Sequence, residues 1–160
     1  QGIGQGAQPI ISYNYGAKNA DRVKQAFKAF LTICFTYIFV FGMAIEIFPQ
    51  FFIKIFNDNP ELVETAVWTL RLYGCALVFF GIQMAVQQTF IALGKAKASL
   101  FIACLRKVIL LVPLIYILPN FFENKVFAVF LAEPVSDAIS IITASIVFFF
   151  VFRKEMKNLK

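Results

Sequence analysis

The chain has 160 residues, 60% of them hydrophobic and 15% charged, with 21 phenylalanines and a net charge of +6. A soluble domain is about 45–50% apolar and about 25% charged, so this composition, with a mean hydropathy of +0.77, excludes an ordinary soluble fold and points to a polytopic membrane protein. There is no histidine, and Cys34, Cys75 and Cys104 are far apart and odd in number, which argues against a disulfide framework and against a zinc, haem or histidine-based catalytic site.

Residues 1–15 mix apolar and polar positions. Gln1, Gln5, Gln8 and Ser12 step by four, three and four, which places their amides and the hydroxyl on one helical face. Gly2, Gly4, Gly6 and Ala7 form a narrow surface beside it. The stretch is too short to cross a bilayer alone, since a span needs about 20 residues. It reads as the second half of a span, with Pro9 as a kink. The chain opens without an initiator methionine or a basic-then-apolar signal segment, and reads as a fragment or as a chain that has lost its N-terminal part.

A basic loop with Lys18, Arg22, Lys24 and Lys28 follows, then a full span over 29–48 that Pro49 ends. Glu46 lies within reach of that interface. Residues 50–56, with Lys54, suit a short amphipathic turn on the membrane surface. Asn57-Asp58-Asn59-Pro60-Glu61 is a helix start: Asn59 caps, Pro60 fits the first helical position, and Glu61 and Glu64 suit the positive end of the dipole. That helix runs to Leu93, with its membrane part at 66–93, Trp68 and Tyr73 as interface anchors, and Gly94 as its stop. A basic turn at 94–97 leads to a span over 98–118 that contains Pro113. A polar turn, a last span over 127–152 and a basic tail complete the chain.

The basic residues sort by side. Lys18, Arg22, Lys24, Lys28, Lys95, Lys97, Arg153, Lys154, Lys157 and Lys160 fall on one side, and Lys54, Arg71 and Lys125 on the other. The positive-inside rule then places the first loop, the Gly94 turn and the C-terminus in the cytoplasm. Charges at span ends are topology signals, so nucleic acid is not the implied partner.

Within the spans, Glu133 and Asp137 share a helical face. Acids inside a span are costly and mark functional sites by default; either carboxyl suits a proton or a sodium ion. The plainer alternative has Glu133 reaching the outer interface and Asp137 capping or pairing with a neighbour. Arg106 is the candidate charge partner. It lies twelve residues from Leu118, and Asp137 eleven from Val126, so at about 1.5 Å per residue their depths match when measured from the outer side; measured from the cytoplasmic side they do not. Lys107 reads as snorkelling to the inner interface. Gln83 and Gln87 share a face and either bond between helices or line a drug or cation path. The glycines at 2, 4 and 6 do not match a nucleotide loop, and no GK[ST] occurs, so any transport is secondary.

Four stretches carry a family resemblance in order: GxGQGAQPIISYNYGAKNxxRV at 2–23, NPELVxxAxxxLRLY at 59–73, QxxFIALGKAKxSLxxxxLRKVILLVPLIYILP at 87–119 and AEPVSD at 132–137. Together they resemble the C-terminal part of a MATE (multidrug and toxic compound extrusion) transporter, over essentially the whole chain. The resemblance implies an all-α, polytopic transmembrane bundle: the end of one span plus four full spans of the C-terminal lobe of a twelve-helix, two-lobed carrier. It implies a bacterial cytoplasmic membrane, efflux of cationic and amphipathic compounds against sodium or protons, no other cofactor, and no enzymatic activity. The implied partners are the lipid bilayer, the missing N-terminal lobe and small organic cations. The family's best-known coupling acids lie in helices 1, 7 and 10; the counterpart of helix 10 here carries no acid between 72 and 93. Glu133 occupies a position that is more often uncharged. The pathway candidates are therefore Gln5, Gln8, Ser12, Gln83, Gln87, Asp137 and Glu133, with Arg106 as charge partner. The alternatives are a lipid-linked saccharide flippase of similar architecture and a membrane scaffold subunit without transport.

Overall fold

The structure, a computed structural model, describes residues 1–57 and 59–159, with the backbone alone at 75, 76 and 78. Asp58 of the helix-start motif, the Cys75 side chain and Lys160 of the basic tail lie outside the described residues. Everything regular among the described residues is helical: α1 Gly2–Gly16, α2 Ala20–Ile47, α3 Pro49–Lys54, α4 Pro60–Ala92, α5 Ala96–Cys104, α6 Val112–Ile117 and α7 Lys125–Asn158. Between α5 and α6 the helix widens into π-helix over Leu105–Leu111, and α6 tightens into a 3-10 turn over Leu118–Asn120.

Local chemistry sets the boundaries. The side chains of Asn19, Asn59 and Asn124 each accept a bond from a first-turn N–H, of Arg22, Glu61 and Phe127 respectively, so each helix start has a donor satisfied. Pro49 and Pro60 open α3 and α4 at a position that needs no N–H. Gly94 closes α4 at φ 70°, a left-handed conformation that glycine adopts without steric cost. The π-helix ends just before Pro113. A proline lacks the N–H and crowds the carbonyl one turn back, and widening the preceding turns is one way a helix absorbs that. Pro134 has no such effect, because α7 runs unbroken through it.

Among the described residues, three helices are long and apolar enough to cross a membrane: Ala20–Ile47, the continuous run Ala96–Asn120, and Lys125–Asn158. The two halves of α4, Pro60–Gly74 and Phe79–Ala92, meet at 50° and pass the same test together.

α4 is the centre of the bundle, packed along α2 on one side and α7 on the other, with α1 against both α2 and α4. Gly81 permits a close backbone approach: a Cβ there would lie 2.8 Å from the Cys34 carbonyl oxygen of α2. Among the described residues, two apolar clusters fill the interior, one around Ile11, Val23, Phe30 and Ala85, the other around Phe90, Ile102 and Phe148. Trp68 packs on Phe127 and Phe130, and Tyr73 on Phe130. These two rings thus join α4 to α7, a packing role beyond that of interface anchors. Large apolar side chains such as Ile33, Phe41, Ile109 and Phe150 stay exposed on the outer faces, as lipid contact requires.

Candidate functional site

The polar interior lies where the π-helix crosses α7. Glu133, Ser136, Asp137 and Ser140 follow an i, i+3, i+4, i+7 pattern along α7 and so share one face. Opposite them the π-helix presents Arg106 and Lys107, and α4 presents Phe80 and Gln83. The Arg106 guanidinium donates from Nε to Asp137 Oδ1 at 2.5 Å and from Nη2 to Asp137 Oδ2 at 3.0 Å. This is a two-pronged pair, the strongest form of carboxylate recognition by arginine. Its Cζ also sits 4.5 Å above the Phe80 ring, a cation–π contact. The Ser136 hydroxyl donates to the Arg106 carbonyl at 2.7 Å and so holds the backbone that carries the guanidinium.

A second pair stands beside the first. Lys107 Nζ reaches Glu133 Oε1 at 2.8 Å, and Arg106 Nη2 lies 4.0 Å from the same oxygen. Lys107 is therefore engaged across the helix interface, which differs from free snorkelling. Two cations and two carboxylates make the cluster neutral as a whole, which suits a low-dielectric interior where an uncompensated charge is costly. The two pairs differ in depth: the Asp137 side chain is 9% exposed and that of Lys107 51%. One turn further along α7, Gln83 Nε2 donates to Ser140 Oγ at 3.2 Å, and Gln83 Oε1 is buried with no partner.

The other sequence candidates fall elsewhere. Gln5 is exposed and Gln8 half-buried on α1, and Gln87 is half-buried on α4; none of the three makes a side-chain hydrogen bond among the described residues. Ser12 donates to the Ala92 carbonyl at 2.9 Å, which satisfies one of the free acceptors at the C-terminus of α4. The structure thus gathers Gln83, Arg106, Glu133 and Asp137 and leaves the α1 face apart from them.

Sequence reasoning missed one acid and misplaced another. Glu155, beyond the apolar run of α7, accepts from the Tyr15 hydroxyl at 2.5 Å and pairs with Lys95 at 2.8 Å. It ties α1, the Gly94 turn and α7 together at one end of the bundle. The bond from Lys95, then that from Tyr15, holds its carboxyl below the ordinary 4.5. The available signal was a lone acid inside a basic tail. Glu46 packs on Gly74 of α4 and has one carboxylate oxygen buried without a partner, so it is turned inward at the α2 end instead of out to the interface. Among the described residues, no three histidine, cysteine or acidic side chains converge as a metal site would need.

The MatE family model matches residues 1–117. The chain belongs to the MatE family. Its members are transporters, not enzymes. The chain is 22% identical over 143 residues to the multidrug export protein MepA of Staphylococcus haemolyticus (strain JCSC1435), covering 84% of this chain and 30% of that protein. It is 25% identical over 121 residues to MepA of Staphylococcus aureus (strain MSSA476), covering 76% and 26%. Among solved structures, an outward-facing multidrug resistance MATE family transporter of the MOP superfamily superposes with a TM-score of 0.82 at 18% identity, over 98% of this chain and 34% of that one. An inward-facing structure of the same description gives 0.78 at 17% identity, over 96% and 34%. This MatE chain therefore spans between about a quarter and a third of the length of the relatives it matches, and it is a multi-pass, all-α membrane protein.

Proposed function

We propose that the chain forms part of the C-terminal lobe of a secondary active exporter of cationic and amphipathic compounds, driven by sodium or protons. A second lobe, supplied outside these residues, would complete the cavity, and rocking of the lobes would alternate access. The likeness to both an outward- and an inward-facing transporter supports a unit that moves as one body. The Lys and Arg asymmetry supports a cytoplasmic C-terminus, and the staphylococcal relatives support a bacterial cytoplasmic membrane.

The observation that carries the reading is the neutral charge cluster between spans, with Asp137 buried at its inner end. Both Asp137 oxygens are held by Arg106, so a coupling ion reaches the carboxylate only if the guanidinium lets go. Glu133, 4.0 Å from Nη2, is the acceptor to which it would shift. A proton or sodium ion on Asp137 leaves the cluster at +1, which repels a cationic compound. Loss of that ion restores neutrality. Opposed binding of this kind is what antiport requires.

The test uses the full-length gene product in proteoliposomes, with ethidium as the transported cation and a proton or sodium gradient imposed. Asp137→Asn is expected to lower gradient-driven ethidium transport by about ten-fold or more, with Asp137→Glu partly active. Transport unchanged in Asp137→Asn overturns the role of the cluster. It would favour a scaffold, a reading that the mutual pairing of the four charges also supports and that the unpartnered oxygens of Gln83 and Glu46 oppose. A flippase of anionic saccharide lipids would need free cations facing the cavity, and Arg106 and Lys107 are both neutralised here.

A further inference from the structure

A groove of about 690 Å³ runs between α2 and α7 near the α7 C-terminus. Its floor is Ile82 and Val86 of α4. Its walls are aromatic: the Phe27, Phe148 and Phe152 rings pack on one another with centroids 4.6–5.2 Å apart, and Phe149 adds an exposed face. The charge on this apolar lining lies at one end, where Lys24, Arg153 and Lys157 form the rim. No carboxylate among the described residues lines the groove. Among the described residues neither Arg153 nor Lys157 has an acidic side chain within ion-pair distance. Lys24 meets Asp21 at 3.3 Å with both side chains largely exposed, a pairing of little strength.

Sign, shape and length select one class of occupant. Three cations at the mouth repel cationic compounds, which separates this groove from any path for such substrates. An apolar trough beneath a basic rim suits an amphiphile with an anionic head. From Lys157 to Ser145, the deepest α7 residue of the lining, is twelve residues of helix, or about 18 Å. One leaflet of hydrocarbon is about 15 Å thick, so the groove is one lipid tail long. Basic pockets between transmembrane helices bind anionic lipid heads for the same electrostatic reason.

We propose that this groove binds one anionic glycerophospholipid, its phosphate against Lys24, Arg153 and Lys157 and one acyl chain along the phenylalanine wall. The site is independent of the transported compound and of the Arg106–Asp137 cluster.

Native mass spectrometry of the full-length gene product, titrated with phosphatidylglycerol and separately with phosphatidylcholine, tests it. Each of Lys24→Gln, Arg153→Gln and Lys157→Gln is expected to weaken phosphatidylglycerol binding about five-fold, and the triple variant on the order of 100-fold. Phosphatidylcholine binding stays unchanged. A control carrying Lys97→Gln and Lys125→Gln, outside the groove, keeps the original affinity. Phosphatidylglycerol with a photoreactive acyl chain is expected to label α2 near Phe27 and α7 near Phe149, a readout that needs no variant to fold. A triple variant within about two-fold of the original affinity, an equal loss in the control, or labelling confined to other segments overturns the proposal. Labelling confined elsewhere would mean that another part of the full-length product covers the groove.

Discussion

Arg106 holds Asp137 by two parallel hydrogen bonds, Nε to Oδ1 at 2.5 Å and Nη2 to Oδ2 at 3.0 Å, across the crossing of the π-helix and α7. Phe80 covers the guanidinium on one side, and Ser136 holds the Arg106 carbonyl. The pair is therefore fixed in orientation as well as in charge.

Removing one partner strands the other charge in an apolar interior. Arg106→Gln is expected to destabilise the full-length gene product by about 3–5 kcal/mol, whereas replacing both Arg106 and Asp137 by leucine or methionine is expected to recover most of that loss. Thermal unfolding in detergent compares the three. A double variant no more stable than the single would mean that the loss does not come from a stranded charge.

Glu133→Gln should cost less than Asp137→Asn in the same assay. Glu133 makes one short contact, to a lysine that is half exposed, and Asp137 makes two bonds in a buried position. Exposed pairs contribute about 0–1 kcal/mol, while buried pairs that lose one member cost several. Equal losses would contradict the difference in depth.

Gly81→Ala is expected to destabilise the protein by about 1–3 kcal/mol through overpacking. The added methyl would sit 2.8 Å from the Cys34 carbonyl oxygen, a backbone atom that cannot swing aside. Gly6→Ala, with nothing within 4 Å of its new Cβ, is the control, and it should be neutral or slightly stabilising because alanine favours the helix by about 1 kcal/mol.

Glu155 makes the bundle end acid-sensitive. Its folded carboxyl is held below 4.5 by Lys95 and Tyr15, so its contribution is full above the unfolded value and is lost as pH falls through the folded one. The thermal midpoint should therefore drop at acid pH, and Glu155→Gln should lack that share of the drop while being less stable near neutrality. A pH profile identical in the variant would exclude Glu155 as a contributor.

Much of the architecture was legible along the chain. Runs of apolar residues, the Asn59-Pro60 start and the Gly94 stop are local signals: a cap needs one acceptor at one position, and a left-handed turn needs a residue without a Cβ. Four ordered stretches also carried the family resemblance, which the MatE match over 1–117 established. The π-helix was not legible, because Pro113 permits several adjustments and neighbouring helices select one. Nor was the fate of the Gln5, Gln8 and Ser12 face. One helical stripe held three candidates, and the structure gives each a different environment: Gln5 is exposed, Gln8 is half-buried, and Ser12 is bonded to the Ala92 carbonyl.

What the sequence by itself determined is therefore one-dimensional: composition placed the chain in a membrane, periodicity made it helical, and its motifs assigned its family. The tertiary structure decided which polar groups meet. Arg106 with Asp137, Lys107 with Glu133, Gln83 with Ser140 and Tyr15 with Glu155 are pairs 26 to 140 residues apart. Sequence spacing records depth along each helix, at about 1.5 Å per residue. It does not record how far each helix is turned about its axis, and a turn of one residue, about 100°, carries a side chain to another face. Packing at Gly81 and around Phe90 and Phe148 sets those rotations, and with them the site.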